Sequence, residues 1–95
     1  MERQQHMPYL VDSLQKLAQT PSPTGMTGQV EALLMQELSA LGLSPWQTRK
    51  GGVLVQLNPG VEGDGILLSA HIDTLGLMVR ALKSNGRLRF TKIGG

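Results

Sequence analysis

A histidine and an aspartate separated by one residue are the side chains in this sequence best suited to chemistry. They are His71 and Asp73, and they follow an apolar run at residues 66–68 and two small residues. In an extended strand, residues i and i+2 point to the same side, so the two side chains can meet or face one shared object. Neutral imidazole is a common metal ligand, and a carboxylate can ligate a metal or orient the imidazole. The spacing therefore suits either a metal site or a structural hydrogen-bonded pair.

The residues before the pair predict a strand that delivers it to a site. Residues 65–71 begin with a continuous apolar run, which is typical of a strand covered on both faces. In open α/β sheets, ligands bind beyond the carboxyl ends of such strands. Because His71 and Asp73 lie at that end, we expect this strand near the centre of a sheet, with the pair at its edge.

Two amphipathic helices are expected before this strand. Six apolar residues between positions 7 and 18 fall on one stripe of a 3.6-residue period, which predicts a helix over 7–19. A similar stripe predicts a helix over 28–41, and Gly42 suits its end. A Pro-Ser-Pro-Thr-Gly segment at 21–25 separates them, and we interpret it as a stiff connector rather than a loop that lines a site.

Four further strands are expected, arranged as two hairpins. Residues 44–50 and 53–58 flank a Gly-Gly pair, which is a two-residue hairpin signal. Residues 75–82 and 87–93 flank an Asn-Gly pair, the strongest short hairpin turn. Together with the strand at 65–71, these give about five strands after two helices. The fold class that follows is α/β.

Composition narrows the classes of function. The 95 residues suit one small domain at most, and the absence of cysteine excludes disulfides and thiolate metal sites. Nine basic residues against seven acidic ones are scattered, without the dense stripe of a nucleic-acid surface. No apolar run approaches the ~20 residues of a membrane span, and the first residues do not contain the apolar segment of a secretory signal peptide. We therefore expect a cytoplasmic protein with neither nucleic-acid nor membrane partners.

None of the other acidic residues, nor the second histidine, is expected to complete a metal site at this pair. A catalytic zinc keeps about three protein ligands, and a two-metal site also needs a bridging carboxylate. The expected helices and loops place the other candidates at the N-terminus, on polar helix faces or at the opposite end of the buried strand. These candidates are Glu2, His6, Asp12, Glu31, Glu37, Glu62 and Asp64. The pair alone should hold a divalent ion only weakly.

Three separated motifs stand out along the chain. The first is the Pro-Ser-Pro-Thr-Gly segment at 21–25, and the second is Ser-Ala-His-Ile-Asp-Thr-Leu-Gly-Leu-Met-Val at 69–79. The third is Asn-Gly-Arg-Leu-Arg-Phe at 85–90, followed by Ile-Gly-Gly at 93–95. Together they resemble metallopeptidase family 42, the cytosolic glutamyl- and leucyl-type aminopeptidases once also labelled endoglucanase or cellulase M. The motifs cover nearly the whole chain in order.

Two positions depart from the family pattern. Thr74 stands where the family usually has an acidic residue after His-x-Asp, and Ile72 stands where it has methionine. The Asp-Thr-Leu-Gly version resembles a branch associated with osmoprotectant peptide metabolism. The departures affect the expected substrate preference more than the expected reaction type.

The resemblance implies a fold and a set of roles. Residues 1–95 would be the N-terminal part of a mixed-sheet α/β/α zinc-peptidase catalytic domain, and residues 83–95 would lead toward an inserted dimerisation domain. His71 would ligate one of two divalent ions, zinc or cobalt, and Asp73 would act in catalysis by orienting His71. The general-base glutamate, the bridging aspartate and the remaining ligands would lie further along the chain.

The same resemblance implies an aminopeptidase that removes N-terminal residues from short peptides and assembles into homo-oligomers. The 95-residue chain alone would be an inactive fragment that binds no metal tightly. Two alternatives stay open from the sequence. One is another co-catalytic metallohydrolase, such as a family 20-like amidohydrolase. The other is a non-enzymatic module that associates through exposed sheet edges.

Overall fold

Two helices and two small antiparallel sheets make up the chain in the computed structural model, which describes residues 3–95. The elements in chain order are α1 (Arg3–Gln19), α2 (Gly28–Ala40), β1 (Trp46–Gln47), β2 (Val53–Leu54), β3 (Gly76–Leu82) and β4 (Leu88–Ile93). The α/β class is confirmed, but the described residues form four strands where about five were expected. Neither described helix has the length and apolar character that crossing a membrane requires.

The segment at 65–71 is the expected strand that does not form. Its backbone has no strand assignment, and Ile66, Leu67 and Leu68 are 92%, 80% and 85% exposed. The prediction of a buried central strand is therefore wrong for this structure. The physical reason is that a strand needs a neighbour for its backbone hydrogen bonds, and among residues 3–95 neither sheet pairs with this segment.

Both helices form close to where the apolar periodicity placed them. Helix α1 begins at Arg3, four residues before the predicted start at position 7, so Pro8 lies inside the helix rather than in its first turn. The helices are joined by Lys16, whose Nζ atom lies 3.2 Å from Asp12 Oδ2 and 3.1 Å from Glu37 Oε1. Helix α2 ends at Ala40, and Gly42 follows with φ of 82°, as its position predicted.

Strands β1 and β2 form the first predicted hairpin, but with a longer loop. The amide of Thr48 donates to Gly52 O at 2.8 Å, and the amide of Gly51 donates to Thr48 O at 3.1 Å. The loop is therefore residues 49–51 instead of Gly51-Gly52. Gly51 takes φ of 89°, which matches the three-residue loop that ends in a left-handed residue.

Strands β3 and β4 form the second predicted hairpin and use the same kind of loop. The amide of Lys83 donates to Arg87 O at 2.8 Å, and Gly86 takes φ of 81° at the last loop position. The pairing is regular from Gly76 opposite Ile93 onward and shifts between Val79 and Ala81, where Arg80 is bulged out of the ladder. This sheet adjoins the candidate site through its first residue, Gly76.

The described part of the chain buries very few side chains. Val30 on α2 is 1% exposed and is the buried apolar residue, and Ser22 is the buried polar one. Large apolar side chains on both faces of the β3–β4 hairpin are exposed, among them Met78, Val79 and Phe90. Backbone hydrogen bonds therefore matter more than apolar packing in positioning the residues around His71.

Candidate metal site

The structure brings His71 and Asp73 into contact. The Nδ1 atom of His71 lies 3.1 Å from Asp73 Oδ1 and 3.2 Å from the Asp73 carbonyl oxygen. With the proton on Nδ1, the imidazole donates to the aspartate, and its second nitrogen, Nε2, keeps a free lone pair. The imidazole is 87% exposed, so Nε2 is accessible to a ligand. The contact is one of the two arrangements that the i, i+2 spacing allowed.

The Pro-rich segment contacts the backbone around Asp73 directly. The amide of Thr74 donates to Ser22 O at 2.8 Å, the amide of Thr24 donates to Thr74 O at 3.1 Å, and Pro23 and Thr74 form a parallel bridge. The buried Ser22 hydroxyl donates to the carbonyl of Ile72 at 3.1 Å. The interpretation of residues 21–25 as a simple connector is therefore wrong, because this segment lines the site.

The Asp73 carboxylate is shared between two donors. Its Oδ2 atom accepts from the Thr24 hydroxyl at 2.9 Å, and its Oδ1 atom faces His71. The Thr24 hydroxyl and then His71 lower the pKa of Asp73 below its usual value, because both stabilise the ionised form. The aspartate is therefore charged at neutral pH and is a strong acceptor for the imidazole.

A glycine allows the Pro-rich segment to approach this closely. A Cβ atom built on Gly76 would lie 2.7 Å from Pro23 Cβ, well inside an ordinary carbon–carbon contact. Gly76 belongs to the His-Ile-Asp-Thr-Leu-Gly run, and Pro23 to the Pro-Ser-Pro-Thr-Gly segment. Two of the three sequence motifs are thus in van der Waals contact.

An open cleft of about 580 Å³ lies beside the pair. Its walls include His71 and Asp73, the turn between β1 and β2, and Glu31 of α2. The Glu31 carboxylate packs so closely on Gly51 that a side chain there would overlap it. The sequence predicted a polar helix face for Glu31, and the structure places this residue in the wall of the same cleft as the pair. Even so, no three possible metal-ligating residues come together within residues 3–95.

Periodicity missed Ser22, Thr24 and Glu31 as residues of the site. The contacts of Ser22 and Thr24 join positions 49 or 50 residues apart, so no local pattern could reveal them. The signal that pointed toward the first two was the resemblance of their segment to a family motif. The sequence contains no comparable signal for Glu31.

Comparison with known proteins agrees with the motifs. The family model described as M42 glutamyl aminopeptidase matches residues 51–95, a stretch that includes His71 and Asp73. The second half of the chain therefore matches the M42 family. The resemblance predicted from the sequence is thereby confirmed.

Proteins from three bacteria, each with aminopeptidase in its name, align with about nine-tenths of the chain. The YhfE protein of Bacillus subtilis (strain 168) is 34% identical over 85 residues and carries a provisional aminopeptidase name. The alignment covers 90% of this chain and 25% of YhfE. The glutamyl aminopeptidase of Lactococcus lactis subsp. cremoris (strain MG1363) is 31% identical over 87 residues, and the alignment covers 90% of this chain and 24% of that enzyme. SgcX of Escherichia coli (strain K12), also provisionally named an aminopeptidase, is 27% identical over 85 residues, and the alignment covers 88% of this chain and 23% of SgcX. The chain described here thus spans about a quarter of the length of these relatives.

Proposed function

We propose that this chain supplies the His71 and Asp73 part of the active site of a metal-dependent aminopeptidase that removes N-terminal residues from short peptides. The observation that carries the proposal is the Asp73 carboxylate on Nδ1 of an exposed histidine. Metal-bound histidines commonly donate their other ring N–H to a carboxylate in this way. The pair lies within the stretch that matches the M42 family.

The proposed roles follow from the two nitrogens of the imidazole. His71 would hold one of two divalent ions, zinc or cobalt, through Nε2, and no hydrogen bond among the described residues reaches that atom. An imidazole nitrogen and carboxylate oxygens are donors that zinc accepts, so these residues fit the ion. When bound, such an ion polarises a carbonyl group and lowers the pKa of water.

Asp73 would act through His71 rather than on the substrate. Its ionised carboxylate holds the proton at His71 Nδ1 and keeps Nε2 unprotonated, which makes the imidazole a better ligand. The described residues bring no third ligand to the pair, so the proposal requires further ligands from outside this set. The 95-residue chain by itself should then bind a metal ion weakly and show no peptidase activity.

The proposal extends to location and assembly. A cytoplasmic enzyme that works as a homo-oligomer is what resemblance to the family implies. The exposed apolar side chains of the β3–β4 hairpin, including Met78 and Phe90, support burial against further protein.

The test uses the protein isolated intact from its source cell. The preparation is assayed for release of a chromophore from a series of aminoacyl substrates, with and without a chelator. We expect metal-dependent release that His71→Ala abolishes and that Asp73→Asn lowers by about 10- to 100-fold. His6→Ala is the matched control and should leave the rate unchanged. Absence of release from metal-replete protein, or full activity in His71→Ala, would refute the proposal.

A second candidate function is association through the sheet edges without catalysis. The observation that favours it is that β3 and β4 form a sheet of only two strands among the described residues, so each strand has an unpaired edge. Apolar side chains on both faces of this hairpin, such as Val79 and Phe90, are also exposed. Sedimentation of the purified chain separates the two candidates when it is combined with the assay above. Self-association together with a complete lack of aminopeptidase activity in the intact protein would favour the second.

A further inference from the structure

We infer that Thr24 is a positioning residue of this site: its hydroxyl fixes the plane of the Asp73 carboxylate so that one oxygen is held on His71. The inference deepens the proposed function and rests on it. It also assigns a role to the Pro-Ser-Pro-Thr-Gly segment, whose side chains have no part in metal binding or catalysis in the proposed function. Thr24 would act only through Asp73 and would touch neither metal nor substrate.

The geometry divides the carboxylate between two donors. Thr24 Oγ1 donates to Asp73 Oδ2 at 2.9 Å, while Asp73 Oδ1 lies 3.1 Å from His71 Nδ1. The terminal torsion of an aspartate side chain is broad and roughly two-fold, so the side chain itself hardly fixes the plane of its carboxylate. A second donor on the opposite oxygen supplies the missing restraint. Without it, the carboxylate could turn away from His71.

The Thr24 hydroxyl is itself held in place by backbone pairing. The amide of Thr24 donates to Thr74 O at 3.1 Å, and the amide of Met26 donates to Pro23 O at 2.8 Å. The hydroxyl has one proton and two acceptors in reach, Asp73 Oδ2 at 2.9 Å and Thr74 O at 3.4 Å. The carboxylate is both nearer and charged, so it receives the stronger hydrogen bond.

The Ile-Gly-Gly segment leaves space for this hydroxyl. A Cβ atom built on Gly94 would lie 2.9 Å from Thr24 Oγ1 and 3.2 Å from Leu75 Cδ2. Gly94 also has φ of 81°, a conformation that favours glycine. The three motifs that suggested the family therefore converge on one hydroxyl group, with Asp73 on one side and Gly94 on the other.

The decisive variants separate positioning from simple loop stability. Thr24→Val removes the hydroxyl but leaves the backbone bridge between Pro23 and Thr74 available. Thr24→Ser restores the hydroxyl. Thr91→Val, at an exposed position on β4, is the control for the substitution itself.

The readouts are made on the full 95-residue chain labelled with nitrogen-15. Nuclear magnetic resonance reports the tautomer of the His71 imidazole, hydrogen exchange at the Thr74 amide reports the bridge, and a titration with Zn²⁺ alone reports affinity. We expect Thr24→Val to lower the Nδ1–H fraction of His71 and to weaken Zn²⁺ binding by about tenfold, while Thr74 stays protected. Thr24→Ser should restore both values, and Thr91→Val should change neither.

The inference is overturned if Thr24→Val leaves the tautomer and the Zn²⁺ affinity unchanged, or if Thr24→Ser fails to restore them. A second pair of variants covers the case in which Thr24→Val also disrupts the loop. Gly94→Ala should displace the hydroxyl and reproduce the tautomer change. Gly86→Ala, which has the same φ of 81° but open space around it, should not. Identical behaviour of these two variants would overturn the inference.

The experiment also keeps this inference separate from the proposed function. If His71 of the unmodified chain takes up no Zn²⁺, the proposed metal role fails. The tautomer measurement needs no metal, so it still decides whether Thr24 positions Asp73 and His71.

Discussion

Replacement of Gly76 by alanine should open the contact between the Pro-rich segment and the residues after Asp73. The new methyl carbon would lie 2.7 Å from Pro23 Cβ, whereas carbon atoms in contact are ordinarily about 3.5–4.0 Å apart. About 1 Å of separation must therefore be gained. Because the proline ring fixes its own backbone torsion, the segment has to move as a unit.

The cost follows from the two hydrogen bonds of the bridge. The Thr74 amide donates to Ser22 O at 2.8 Å, and the Thr24 amide donates to Thr74 O at 3.1 Å. A net contribution of about 0.5–1.5 kcal/mol for each bond gives about 1–3 kcal/mol if both are lost. Since about 1.4 kcal/mol corresponds to a factor of ten, the protection of these amides should fall by about 5- to 150-fold.

Hydrogen exchange of the Thr24 and Thr74 amides measures this loss directly, with the amides of α2 as an internal reference. Gly65→Ala is the matched control, because Gly65 also lies outside the left-handed region and has open space where the methyl group would go. Its protection pattern should match that of the unmodified chain. Equal protection of the two amides in Gly76→Ala and Gly65→Ala would refute the reasoning.

Three further predictions concern stability. Val30→Ala should lower the free energy of unfolding by about 2 kcal/mol, because two buried methyl groups are lost. Leu14→Ala, at a 64% exposed position, should change it by less than about 0.5 kcal/mol. Urea titrations followed by circular dichroism measure both values. The pKa of Asp73 is lowered on folding, so the stability that its ionised carboxylate contributes is present above the unfolded pKa of about 3.9 and is lost as the pH falls through the folded pKa. An acid titration of the unfolding free energy should show this loss below about pH 4. Asp73→Asn should remove this part of the pH dependence. The ion pair of Lys16 with Glu37 is exposed, so salt should screen it. Lys16→Met should therefore lower the midpoint of urea unfolding at low salt but not at about 1 M salt. An equal decrease at both salt concentrations would contradict the prediction.

Local signals predicted the helices and hairpins well, because each is decided within a short stretch of chain. The apolar periodicity located α1 and α2, and Gly51 and Gly86 marked the two hairpin loops. The first loop was predicted at 51–52 but forms at 49–51, since a Gly-Gly pair suits a two-residue turn and its first glycine equally suits the last position of a three-residue loop. The boundaries, rather than the elements, were the weak part of these predictions.

Non-local features were predicted poorly for a different reason. The apolar run at 66–68 indicates which side chains would gain from burial, but it does not tell whether a neighbouring strand is present to pair with it. The contacts of Thr24 with Asp73 and of Ser22 with Ile72 also depend on tertiary structure, across 49 and 50 residues. The His71–Asp73 contact was predictable because both residues lie within three positions of each other.

The most direct test of the proposed site is a Zn²⁺ titration of the nitrogen-15-labelled chain in which the ring nitrogens of His71 and His6 are followed together. If His71 is the ligand and Asp73 positions it, the Nε2 signal of His71 should shift at lower Zn²⁺ concentration than either ring nitrogen of His6. Asp73→Asn should then raise the required concentration by about tenfold or more. If the His6 signals shift at the same or a lower Zn²⁺ concentration, or if those of His71 do not shift at all, the assignment of His71 as the metal ligand is contradicted.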